Sequence, residues 1–172
     1  DAPTIAGLAT EVERRRRGNE AAPPPIERVP RDQPLVCSFS QQRLWFLDRL
    51  LPGDPANNLP VAIRFEGEMD EAVLRRAVAE LVRRHEALRT TFAASATGEP
   101  IQVVAPAGGT LPMPIVDYSR FDLAYTRETE AIARLGDFSR RPLDLARGPI
   151  VQWLLVRLAP QDFLLYYTIH HI

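Results

Sequence analysis

Residues 150–171, I-V-Q-W-L-L-V-R-L-A-P-Q-D-F-L-L-Y-Y-T-I-H-H, hold two long apolar runs separated by a short polar break. Residues 150–158 and 163–169 are rich in branched and aromatic side chains, the composition of strands. The break Ala159-Pro160-Gln161-Asp162 carries turn chemistry. The second run is apolar at successive positions, so it is expected to be covered on both faces. Two histidines, His170 and His171, follow it directly.

Upstream, helical and extended patterns alternate. Ser38 or Ser40 caps an expected helix to about Leu51, with Leu44, Leu47, Leu50 and Leu51 as its apolar set, and Pro52-Gly53-Asp54-Pro55 ends it. Residues 59–65 read as a strand with Val61, Ile63 and Phe65 on one face. Asp70 caps a stronger helix through about Glu86, with Val73, Leu74, Ala77, Val78, Leu81 and Val82 as its buried stripe. Residues 88–93 and 101–105 form an expected hairpin around Gly98, residues 113–116 a short strand, and residues 125–135 a helix. The expected fold class is α/β, a mixed sheet flanked by helices.

Two segments precede this body. Residues 2–17 have Ile5, Leu8, Ala9 and Val12 at helical spacing, with Thr4 as N-cap and Gly18 as the stop. Arg14 to Arg17 stand where cations favour the helix dipole, which makes them a solvated helix end rather than a nucleic-acid site. Residues 18–34 carry Pro23, Pro24, Pro25, Pro30 and Pro34 without apolar periodicity, as a semi-extended linker does. The expected organisation is therefore 1–17, 18–34 and 35–172.

Composition narrows the function. The 172 residues are 45% hydrophobic and 25% charged, with a net charge of -1, so no global field favours nucleic acid or an anionic membrane. All 21 basic side chains are arginine, which excludes Schiff-base chemistry on a lysine of this chain. The one cysteine, Cys37, permits neither an internal disulfide nor a multi-thiolate metal site. No apolar run reaches the ~18 residues of a membrane span, and the expected location is cytoplasmic. No glycine-rich phosphate loop or dinucleotide fingerprint is present.

The only histidines are His85, His170 and His171. Neighbouring strand residues point to opposite faces. If the strand persists, His170 and His171 cannot serve one cleft, nor chelate one metal. Arg84-His85-Glu86-Ala87-Leu88-Arg89 closes the long helix. If the helix reaches Arg89, His85 and Arg89 share a face at i and i+4, and Glu86 neighbours Arg89 at i and i+3. A helix end with a local ion pair accounts for these residues without any chemistry.

Three strings in order nevertheless form a resemblance. Residues 38–47, S-F-S-Q-Q-R-L-W-F-L, are similar to the first signature of condensation domains of nonribosomal peptide synthetases, SxAQxRLWxL, with Ser40 in place of alanine. Residues 84–92, R-H-E-A-L-R-T-T-F, match the second signature, RHExLRTxF, at every specified position. His170-His171-Ile172 resembles the opening of the third, HHxxxDG. Asn58-Leu59-Pro60 and residues 144–149, D-L-A-R-G-P, also resemble connecting sequence of the family, and residues 2–9 the last helix of a peptidyl carrier domain.

The resemblance implies a chloramphenicol-acetyltransferase-like fold of two lobes, of which residues 35–172 would be the N-terminal one. The chain would stop inside the third signature, lack the C-terminal lobe, and be inactive alone. The implied reaction joins a donor aminoacyl or peptidyl thioester to an acceptor amine. Both would be carried on 4'-phosphopantetheine of upstream and downstream carrier domains, beside an adenylation domain. No cofactor or metal would be bound directly. His171 takes the catalytic position, and an imidazole suits proton transfer near neutral pH. His170 supports it from the opposite face. Arg89 resembles the arginine that pairs with the aspartate of HHxxxDG, while Arg84 and His85 brace the helix end. Other readings are an epimerisation domain of the same superfamily, a noncatalytic docking module, and a soluble acyltransferase outside peptide synthesis, against which the carrier-like residues 2–9 argue.

Overall fold

A computed structural model describes residues 3–17, 24–25, 27–109 and 112–172. The chain divides into two compact units, Asp1–Pro30 and Arg31–Ile172. In the first, helix α1 spans Ile5–Arg17. Thr4 begins it as expected: its Oγ1 accepts the Gly7 N–H at 3.1 Å and its carbonyl accepts the Leu8 N–H. Glu11 accepts from Arg14 and Arg15 along the exposed helix, and the two guanidinium groups hold its carboxyl down at about 2. Ala2, the Gly18 stop and Pro23 lie outside the described residues.

The second unit runs β1 (Leu35–Val36), α2 (Phe39–Leu50), β2 (Asn58–Glu66), α3 (Glu71–Arg84), β3 (Thr90–Ala94), β4 (Pro100–Val104), β5 (Ile115–Asp117), α4 (Ala124–Ser139), β6 (Val151–Ala159) and β7 (Asp162–His170). Its main sheet has the order β2-β7-β6-β5, and a second sheet has the order β1-β4-β3. Among the described residues only β5 and β6 pair in parallel and the other pairings are antiparallel, so the main sheet is mixed.

Strands β6 and β7 form the core hairpin, turned through Pro160 and Gln161. Alternation sorts their side chains into two layers. Val151, Trp153, Leu155, Phe163 and Leu165 pack with Val78 of α3 and with Met113. Leu154, Val156, Leu158 and Tyr166 face the other way, onto Ala131 and Phe138 of α4. Leu155 and Val156 are wholly buried, and each such side chain contributes about 1.5–3 kcal/mol by leaving water. A third cluster joins Cys37, Phe92, Leu145 and Ile150, with Trp45 and Ile172 packed against it.

Caps set the helix starts. Ser38 and Gln41 make a reciprocal capping box at α2. Asp70 accepts the Ala72 and Val73 N–H groups at the start of α3. Three expectations need correction. Helix α3 stops at Arg84, where His85 turns to extended geometry; Glu86–Arg89 is a separate 3-10 turn, so His85 and Arg89 do not share a helical face. The buried stripe of α3 is narrower than expected: Val78 and Val82 are buried, while Val73, Ala77 and Leu81 are exposed. Of the apolar set of α2 only Leu44 is buried; Leu47, Leu50 and Leu51 are exposed. Periodicity marks a face, but burial also needs an element opposite it.

Candidate functional site

The histidine pair sits where β7 leaves the sheet. His170 is the last residue of β7 and stands opposite Asn58 of β2. Its N–H donates to the Ile150 carbonyl at 2.9 Å. The next N–H, of His171, points the other way and donates to the Asn57 carbonyl at 2.9 Å. The strand alternation thus persists through both residues. His170 is 6% exposed, whereas His171 is exposed. By the same alternation His171 follows Phe163 and Leu165 onto the α3 side of the sheet, and His170 follows Tyr166 onto the α4 side.

The two imidazoles therefore differ in kind. His170 Nδ1 accepts the Ile172 N–H at 3.1 Å, so this nitrogen carries no proton and the ring is the neutral Nε2–H tautomer. Burial, and next the charge of His171, push the His170 imidazole below its ordinary value. Among the described residues, His171 is tied through its backbone N–H to Asn57, which leaves an exposed residue on a bonded main chain. Among the described residues no group of three or more His, Cys, Asp or Glu is placed to hold a metal ion.

The second motif lies on the 3-10 turn after α3. The Glu86 carboxylate pairs with Arg31 and, at 3.6 Å, with Arg89, while Arg89 Nη1 donates to the Ala105 carbonyl. Arg89 Nε is buried and has no hydrogen-bond partner among the described residues. The side chain lines a cavity of about 260 Å³ with Thr91, Arg147, Gly148, Pro149 and Ile150. Ile150 is shared: it walls this cavity and holds the His170 N–H. His171 is not among the lining residues. Arg84 and His85 are exposed, and His85 closes α3 through its backbone N–H to the Leu81 carbonyl.

Two contributors were not singled out as site residues by the sequence. Asn57 acts through its carbonyl, which every residue type possesses. Gly148 adopts φ +67, and a Cβ there would stand 3.0 Å from Thr91 Cγ2. The turn before it is fixed by Asp144, whose carboxylate accepts the Ala146 and Arg147 N–H groups, each at 2.9 Å.

Comparison with known proteins places this geometry in a family. Residues 32–172 match the family model described as "Condensation domain". The chain is 38% identical over its whole length to a linear gramicidin synthase of Brevibacillus parabrevis, spanning 2% of that protein. It is 40% identical over 88% of its length to phosphinothricin tripeptide synthetase PhsC of Streptomyces viridochromogenes, spanning 14% of it. In fold, 81% of the chain matches the starter condensation domain of rhizomide synthetase RzmA at a TM-score of 0.72 and 24% identity, covering 32% of that chain. The first condensation domain of the CDA synthetase matches equally, at a TM-score of 0.72 and 22% identity over 36% of its chain. The α/β fold is thus the chloramphenicol-acetyltransferase-like fold of solved condensation domains, and the chain belongs to the condensation domain family of nonribosomal peptide synthetases.

Proposed function

We propose that this chain carries the histidine-bearing part of a site that makes amide bonds in nonribosomal peptide synthesis, with His171 as its catalytic residue. The observation that carries the reading is the exposure of His171 beside a buried, backbone-bonded His170 on a shared strand end. One ring is free to meet a substrate and the other is committed to the fold.

The chemistry follows from the positions. An acceptor amine attacks the carbonyl carbon of a donor thioester; a C–N bond forms and the C–S bond breaks. The amine proton must leave nitrogen and the departing thiolate must gain one. The exposed imidazole of His171 takes the first and returns it to sulfur, a role for which a positioned base typically contributes ~10²–10⁴-fold. Alignment of two tethered ends supplies further acceleration. Arg89 and His170 hold the surroundings, and Arg84 and His85 end α3. The substrates arrive on phosphopantetheine arms of upstream and downstream carrier domains, with an adenylation domain adjacent. Residues 1–17 are the tail of a preceding carrier and residues 18–34 the linker, in a cytoplasmic protein. No described helix is long and apolar enough to cross a membrane.

The test is single-turnover transfer in the parent synthetase with both carriers loaded. His171→Ala should slow amide formation at least ~10-fold; an unchanged rate would remove His171 from the mechanism.

A further inference from the structure

The His171 N–H is held by the Asn57 carbonyl, and the next residue, Asn58, is tied to the end of α4 through its side chain. Asn58 begins β2, opposite His170 in the register. Since the His170 N–H turns to Ile150, Asn58 and His170 form a non-hydrogen-bonded pair, whose side chains lie on the same face. On that face the Asn58 amide reaches the end of α4. Its Nδ2 donates to the Ser139 carbonyl at 3.0 Å and to the Arg141 carbonyl at 2.9 Å. The Ser139 carbonyl is one of those left without a partner at the partially negative end of α4, and the Arg141 carbonyl lies just beyond the C-cap Arg140, so the amide group donates where donors are favoured.

The end of α4 is itself anchored. Phe138 is buried against the sheet, with its ring 5.6 Å from that of Tyr166, and the Arg141 guanidinium lies 5.1 Å over the same Phe138 ring. Asn58 therefore joins the first residue of β2 to a fixed point. Immediately before it, Pro55–Asn57 is a 3-10 turn started by the Asp54 carboxylate, which accepts the Ala56 N–H at 2.9 Å. The last carbonyl of that turn, of Asn57, accepts the His171 N–H. The described chain of contacts runs from the α4 end, through Asn58, to Asn57 and the main chain of His171, on the face opposite the His171 ring.

We infer that Asn58 is a positioning residue for His171: its two hydrogen bonds to the α4 end fix the Asn57 carbonyl, which fixes the backbone from which the His171 imidazole projects. Its bearing on catalysis rests on the proposed role of His171; its bearing on the backbone does not. A rigid main chain matters because a displacement of about 1 Å at a reacting group can cost ~10²-fold.

The experiment compares Asn58→Ala, Asn58→Asp and His171→Ala with wild type in the complete parent protein. Asn58→Ala removes both donors; Asn58→Asp places carboxylate oxygens against two carbonyls and should do at least as much harm. Amide hydrogen exchange at His171 is expected to quicken by ~10-fold or more in both Asn58 variants, because local opening loses its restraint. The turnover constant should fall ~5-fold or more with the KM for the loaded acceptor carrier little changed, the pattern of a reacting group out of place. Unchanged exchange at His171 overturns the inference. So does a loss of turnover that matches the fraction of unfolded protein, since that would make Asn58 a stability residue only. If His171→Ala itself is not slowed, the proposed role of His171 fails while the exchange result still decides the role of Asn58.

Discussion

Exchanging each histidine for alanine separates the two rings by stability as well as by rate. His170→Ala removes the acceptor of the Ile172 N–H, 3.1 Å away, from a position only 6% exposed. The lost hydrogen bond costs about 1 kcal/mol. The space left by a buried ring adds about 2 kcal/mol, at the low end for aromatic truncation because an imidazole is small. The sum is about 3 kcal/mol. With a urea dependence of about 2 kcal/mol per molar, the unfolding midpoint should fall by roughly 1.5 M. His171→Ala removes an exposed ring and keeps the backbone bond to Asn57, so its stability should stay within about 0.5 kcal/mol of wild type. Urea titration of the complete domain at neutral pH reads both. The gap also has a pH dependence. The folded His170 titrates below the ordinary 6.5, so the unfolded chain takes up its proton first as pH falls. The stability contributed by neutral His170 is full above about 6.5 and is lost as pH falls through the folded value. Acidification should therefore narrow the difference between wild type and His170→Ala. Equal losses from the two variants, or a gap that widens in acid, would refute the assignment of His170 to the fold.

Two further outcomes follow from the surroundings of the pair. Gly148→Ala puts a Cβ at φ +67 and 3.0 Å from Thr91 Cγ2, and should destabilise the domain by about 2 kcal/mol, measured by thermal unfolding; no change would mean that neither the backbone geometry nor the approach to Thr91 matters. Cys37 is buried, and burial raises its thiol above the ordinary value, so alkylation by iodoacetamide should be negligible in the native protein and rapid in denaturant. Rapid native labelling would contradict the packing of Cys37 against Phe92 and Ile150.

Much of this was legible where local chemistry decides the outcome. The core hairpin announced itself because residues 151–158 and 163–169 are apolar at nearly every position and the turn between them is polar. Ser38, one of the two serines expected to cap α2, and Asp70 are caps that depend on neighbours in sequence; the structure selects Ser38 and adds Gln41 as its reciprocal partner. The opposite faces of His170 and His171 follow from the two-residue period of a strand. What escaped depends on partners distant in sequence. Nothing in residues 84–89 stops a helix: no glycine or proline is present, and α3 ends there because the chain turns through Glu86–Arg89 into β3. The exposure of Leu50 and Leu51 reflects which surfaces α2 meets in this chain. Asn58 contacts residues 81 and 83 positions away, a separation that no local pattern encodes.

In the proposed function, this chain forms part of a site that joins two carrier-bound substrates through an amide. Its most direct test is intact-protein mass spectrometry of both carriers after one turnover in the parent synthetase. The upstream carrier should lose its acyl group and the downstream carrier gain that same mass, and His171→Ala should greatly slow the transfer. An upstream acyl group that stays in place, whether inverted in configuration or untouched, would contradict it.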